Sequence, residues 1–164
     1  MLADIVSKNG NLLLSIPVRG DGTIDDQEEE IVNDIAAWMA VNKESILATR
    51  PWKIFGEGPA SAGAKLSAQG FNEEKGKPFT ERDVRFTTKG KELYAIVLGW
   101  PTNGVNIAAL GKSAQFLAKP IKKIQLLGSR EKIRWTQSGD ALRIEQPKSK
   151  PSDIAIVFKI TPQT

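Results

Sequence analysis

Residues Asn11–Ile16 read Asn-Leu-Leu-Leu-Ser-Ile, a continuous apolar run stopped by Pro17. A run without alternation is the pattern of a strand covered on both faces, and such a strand needs paired neighbours. Turn chemistry follows in Arg19-Gly20-Asp21-Gly22, and then a helical pattern over Thr23–Asn42. Thr23 or Asp25 is placed to cap that helix, and Asp25, Asp26, Glu28, Glu29 and Glu30 suit the positive end of its dipole. Ile31, Ile35, Trp38, Met39 and Asn42 fall on one stripe, widened by Val32, and Lys43 suits the negative end. This is one strand-helix unit, and nothing later in the chain repeats it.

The remaining pattern is that of short strands. Val84–Thr88, Glu92–Leu98, Val105–Leu110, Ile121–Leu127, Glu131–Thr136, Ala141–Glu145 and Ile154–Ile160 are expected strands, punctuated by Gly90, Gly128-Ser129 and Ser138-Gly139. That spacing predicts an antiparallel sandwich. The stretch from Gly56 to Pro78, with Gly58, Gly63, Gly70 and Gly76, reads as a long irregular connection. Three segments are expected: residues 1–45, a connection over 46–80, and a sandwich over 81–164. A lone strand-helix unit cannot build its own sheet, so the first segment reads as the end of a larger α/β domain that has been cut short.

Charge divides the chain at the same place. Residues 1–45 hold three basic and nine acidic side chains, whereas the following 119 hold 20 basic and 10 acidic. With no cysteine and no histidine, disulfides, thiolate and imidazole metal sites and every His-dependent triad are excluded. No metal site and no cofactor are expected. No apolar run approaches the roughly 18 residues of a membrane span, and Met1–Lys8 lacks the pattern of a secretory leader.

Several residues carry a family likeness. Val6-Ser7-Lys8-Asn9-Gly10-Asn11-Leu12-Leu13-Leu14-Ser15-Ile16, Asp21-Gly22-Thr23-Ile24, Trp38, Asn42, Glu44-Ser45-Ile46 and Thr49-Arg50-Pro51-Trp52 resemble the end of the catalytic domain in alpha-L-fucosidases of glycoside hydrolase family 29. After Trp52 the likeness to the family's C-terminal β-sandwich is diffuse. The resemblance implies that Leu12–Ile16 is the last strand of a (β/α)8-like barrel and Thr23–Asn42 its last helix, with a mainly β chain beyond. It further implies retaining hydrolysis of fucosylated glycans by two carboxylates about 5–5.5 Å apart, both from earlier barrel strands. No catalytic residue is therefore expected in this chain, which would act as an accessory sandwich of a periplasmic or secreted enzyme. Two departures stand out. Lys43 replaces the family's left-handed Gly, which shifts that cap to Asn42. Leu47 replaces a Tyr and removes a hydroxyl expected to be buried.

Two other readings stay open. Trp52, Trp100 and Trp135 suit a stacking platform of a carbohydrate-binding module, although aromatics in a sandwich usually serve the core. Lys119, Lys122, Lys123, Arg130, Lys132 and Arg134 suit a basic nucleic-acid surface, although solvated strand edges also favour lysine, and nucleic acid is not the expected partner. Arg19 would face the barrel mouth by analogy, or serve only its turn. The acidic run Asp25–Glu30 reads as a solvated helix start, Asp21-Gly22 as a turn rather than a calcium loop, and Gly56, Gly58 and Gly63 lack a phosphate-loop context. Deprived of neighbours, the strand-helix segment is expected to fold back on the sandwich or to bury itself in a homodimer.

Overall fold

A computed structural model describes residues 1–61 and 77–163. Two helices, α1 (Leu2–Ser7) and α2 (Asp26–Asn42), precede β1 (Arg50–Glu57), β2 (Val84–Lys89), β3 (Glu92–Val97), β4 (Val105–Ile107), β5 (Ile121–Leu126), β6 (Trp135–Gln137), β7 (Leu142–Ile144) and β8 (Ile156–Pro162). The strands form a five-stranded sheet, β1-β2-β3-β8-β5, and a three-stranded sheet, β4-β7-β6. Every pairing is antiparallel. The expected mainly β, antiparallel sandwich is what the chain forms.

Its core lies between the sheets, with Phe86, Ala95, Val97, Ile156 and Phe158 packed toward Ile107, Leu110, Leu142 and Ile144. A second cluster covers the outer face of the large sheet, where Tyr94, Ile96 and Val157 meet Ala3 and Ile46 with Leu2, Val6, Trp38 and Met39 around them. β3 is buried on both faces for this reason, which accounts for its nearly unbroken apolar run.

The N-terminal strand does not form. Residues 11–18 make no regular element, and Leu13 is 96% exposed. The run lacks a partner on either edge, so its N–H and C=O groups stay with water rather than with a ladder. In its place stands α1, which the strand reading overlooked. Leu2, Ala3 and Val6 face the sheet, and Asn9 in the left-handed region (φ 63°) ends the helix before Gly10. α2 is shorter than expected at its start. Asp25 is the cap, accepting from the Glu28 N–H at 3.0 Å, while Asp21 takes the Thr23 hydroxyl at 2.7 Å. Asn42 does not adopt a left-handed cap: helical backbone runs straight into a turn over Lys43–Ser45. Leu47 is exposed, so the missing hydroxyl leaves no buried hydrogen bond unmade within this chain.

β1 falls inside the expected 46–80 connection, and its last two residues enter the Gly56–Pro78 stretch read as irregular. Trp52 and Ile54 lean on the core, and Pro51 is tolerable because β1 is an edge strand. Its register slips between Pro51 and Gly56, where a Cβ on Gly56 would sit 2.3 Å from the Val84 carbonyl oxygen. Beyond β1 the expected connection makes a 3-10 turn over Pro59–Ser61, and its residues 62–76 lie outside the described residues. Three expected strands are shorter than their patterns: residues 108–110 form a 3-10 turn, Glu131–Arg134 is irregular, and β7 spans three residues.

Val97 is fully buried in β3, whereas Lys91 sits exposed in the β2–β3 turn. Val97→Asp is expected to cost about 4 kcal/mol or more by burying an unpaired charge, and Lys91→Asp to stay within about 0.5 kcal/mol. Urea midpoints that coincide for the two variants would misplace the core.

Candidate functional site

The outer face of the large sheet concentrates the chain's buried polar groups. β2 alternates Val84, Arg85, Phe86 and Thr87, a pattern that reads as polar side out, yet Arg85 and Thr87 are as buried as their neighbours. α1 and the Lys43–Ser45 turn cover them. The Arg85 side chain, 1% exposed, donates through Nε to the Asp4 carboxylate on α1 and through Nη1 to Ser61 Oγ at 3.0 Å and the Val84 carbonyl at 3.1 Å. The Phe55 and Phe79 rings lie 5.6 and 5.2 Å from its guanidinium carbon. Lys8 reaches the other Asp4 oxygen at 2.8 Å. Partial burial pushes the Asp4 carboxyl up, but the hydrogen bonds and charges of Lys8 and Arg85 outweigh it and hold the group below its ordinary value.

A second polar contact ties the turn after α2 to the sheet. Glu44 accepts from Lys159 Nζ at 2.9 Å and from the Tyr94 hydroxyl at 3.4 Å. Burial, then the Glu44 charge, raises the Tyr94 phenol, and the Glu44 hydrogen bond raises Lys159. Thr87 Oγ donates to the Ser45 carbonyl at 2.7 Å, and Trp38 Nε1 donates to the Ala155 carbonyl at 2.9 Å. Two further carboxylates hold loops. Glu57 accepts from the Ala108 and Ala109 amides at 2.8 and 2.7 Å, and Asp83 from the Ala60 and Thr80 amides at 2.7 and 2.9 Å.

Beside this network the face is apolar and open. A cleft of about 350 Å³ is lined by Leu2, Leu12, Leu14, Ile35, Trp38 and Ile154, among others. Only the C-terminal half of the α2 stripe is covered: Trp38, Met39 and Asn42 pack inward, whereas Ile31 is 50% and Ile35 37% exposed. Leu13, Leu14, Ile16, Val18 and Ile24 add to the uncovered area.

The residues singled out from the sequence fall elsewhere. Arg19 is exposed in its turn, 3.6 Å from Asp26. Trp52 on β1 and Trp135 on β6 lie in different sheets, and Trp100 follows β3; all three are half-buried against the core. Trp52 meets Phe86 and Phe116 edge-on at 5.0 and 5.9 Å, and Lys150 lies over Trp100 at 5.8 Å. Among the described residues no tryptophan pairs with another, and no three His, Cys, Asp or Glu groups converge as metal ligands would. The buried Arg85–Asp4 pair was missed because period-two alternation gives side, not cover. The one available signal was Asp4 and Lys8 at i, i+4 in an apolar N-terminal segment.

The fold is thus an antiparallel sandwich carrying two helices on one outer face, with polar clamps beneath them and open apolar surface beside them. Comparison with known proteins supplies the family. Residues 77–161 match the family model for the alpha-L-fucosidase C-terminal domain, and residues 1–44 match that for alpha-L-fucosidase. The chain belongs to the alpha-L-fucosidase family. It is 29% identical to an alpha-L-fucosidase of Branchiostoma floridae over 94% of this chain and 29% of the relative. Against the human tissue alpha-L-fucosidase the identity is again 29%, over 98% of this chain and 29% of the relative. The crystal structure of Thermotoga maritima alpha-fucosidase with a mechanism-based inhibitor superimposes with a TM-score of 0.71 at 26% identity, covering 97% of this chain and 32% of that one. The chain thus spans less than a third of the length of these relatives.

Because Asp4 is held below its ordinary carboxylate value in the fold, its contribution is complete above the ordinary carboxylate range and is lost as pH falls through the lowered value. Asp4→Asn leaves the Arg85 cation buried without its counter-charge and is expected to cost about 3 kcal/mol near neutral pH. The penalty should shrink as pH falls below the ordinary carboxylate range and wild type loses the same charge. Urea midpoints measured across that range check both statements; a gap between the two proteins that does not narrow on acidification would remove Asp4 from the clamp.

Proposed function

We propose that this chain is the C-terminal part of an alpha-L-fucosidase, a retaining glycoside hydrolase acting on fucosylated glycans, and that it supports the catalytic domain without supplying the reacting carboxylates. The observation that carries this reading is the outer face itself, where the buried Arg85–Asp4 pair and the partly exposed Lys159–Glu44 pair fix the helices and apolar side chains stay uncovered around an open cleft. Surfaces of that kind mark interfaces. The carboxylates that clamp this face and the neighbouring loops are committed to structure. Asp4 is bound by two cations, Glu44 by Lys159 and Tyr94, and Glu57 and Asp83 by backbone amides. Asp4 is moreover held low, the wrong direction for a group that must donate a proton near neutrality. The tryptophans, lodged against the core, support packing rather than a shared stacking platform.

The purified chain is expected to release no chromophore from a nitrophenyl alpha-L-fucoside above buffer, and to restore hydrolysis when mixed with a fucosidase catalytic domain lacking its own sandwich. Hydrolysis by the chain alone would overturn the support reading. Alone, the same face is expected to pair two copies across a two-fold axis. Ile35→Glu should convert that dimer to a monomer by light scattering and abolish restoration, with the sandwich still folded; a wild-type chain that is monomeric in that measurement would refute self-pairing.

A further inference from the structure

The free edge of the large sheet opposite β1 carries a second recess, remote in sequence from the helix-covered face. It is a groove of about 390 Å³ between β5 and the irregular segment leading into β6. Lys122, Lys123, Arg130 and Lys132 line it, all exposed, and among the described residues none of the four is ion-paired. The register of β5 slips between Ile121 and Lys123, and the slip turns two successive lysines to solvent where strict alternation would bury one. The one carboxylate in the lining, Glu131, is occupied: it accepts from the Lys148 amide at 2.9 Å and the Ser149 amide at 3.0 Å. Half-buried Trp135 offers an aromatic wall and Gln125 a neutral polar group.

We infer that this groove binds a sulfated oligosaccharide. Four unpaired cations gathered in one recess repel one another, and an anionic ligand relieves that repulsion. At about 390 Å³ the groove is small, and a single aromatic lines it. A strand of nucleic acid is served instead by a long basic track with successive stacking platforms. Sulfate esters on a sugar chain match closely spaced lysine and arginine heads, while hydroxyls suit Gln125 and a ring face suits Trp135. Edge lysines also discourage sheet-to-sheet pairing, but that task needs neither the slip that doubles the lysines nor the cations from the facing segment.

Calorimetric titration of the full chain with a heparin-derived tetrasaccharide tests the inference. Saturable binding is expected, weakening as salt rises, and lost for the same tetrasaccharide stripped of sulfate. The double variant Lys122→Gln, Lys132→Gln should weaken it by about tenfold or more, whereas the charge-matched control Lys53→Gln, Lys91→Gln should change it by less than about twofold. Equal losses in the two double variants, or equal binding of the desulfated sugar, would overturn the site. Tighter binding of a single-stranded oligothymidylate of matched charge would overturn the saccharide assignment. The fucoside assay reads none of these quantities, so failure of the catalytic-support reading leaves this result separately readable.

Discussion

A cation at the centre of a covered sheet face sets the terms for the first half of this chain. Arg85 cannot be stripped of water without a counter-charge and a full set of acceptors, and no residue of its own sheet supplies the charge. α1 has to dock so that Asp4 arrives, Ser61 has to turn inward, and Phe55 and Phe79 have to flank the guanidinium. Gly56 completes the arrangement, because a side chain there would collide with the path Arg85 takes. A buried ion pair of this kind does not guarantee net stability; its strict geometry selects one docking of α1 over near alternatives.

The same face explains why the large sheet is asymmetric in sequence but not in burial. β3 and β8 alternate apolar groups on both sides, since one side meets the small sheet and the other meets α1 and α2. β2 alternates apolar with polar groups, and its polar side is nonetheless dry. Hydrogen bonds from Thr87 to the Ser45 carbonyl and from Arg85 to its acceptors make that possible. Glu44 repeats the device at Tyr94 and Lys159, so the helices are held at two polar points with apolar contact between them.

The strands with strong period or continuous apolar character, β2, β3, β5 and β8, were legible from residues alone, because each buries at least one face within this chain. Residues 11–16 carried an equally strong pattern and failed, since a strand pattern reports what a segment can bury, not whether its neighbours are in the chain. β1 was hidden by Pro51 and Gly56, residues that discourage a strand reading but are permitted at an edge with a slipped register. α1 was hidden by its β-branched Ile5 and Val6, whose local preference is overridden by packing on the sheet. The docking site was least legible of all: Asp4 and Arg85 lie 81 residues apart, and only the fold makes them neighbours.

α2 shows how much recognition the uncovered face can support. Its cap and acidic first turn stabilise it locally, so the helix does not need its whole stripe buried in order to persist. Trp38, Met39 and Asn42 are used; Ile35 and Ile31, one and two turns earlier, are not. Burying a fully exposed side chain of this kind is worth about 1.5–3 kcal/mol, covering a half-buried one correspondingly less, and association of two bodies costs about 4–15 kcal/mol. Any one of these residues is too little to hold a partner. Leu13, Leu14, Ile16, Val18, Ile24, Ile31 and Ile35 together can exceed the cost, but only if one continuous surface covers most of them at once. The proposed support of a catalytic domain meets that requirement, whereas a contact touching two or three of the seven would not recover what association removes.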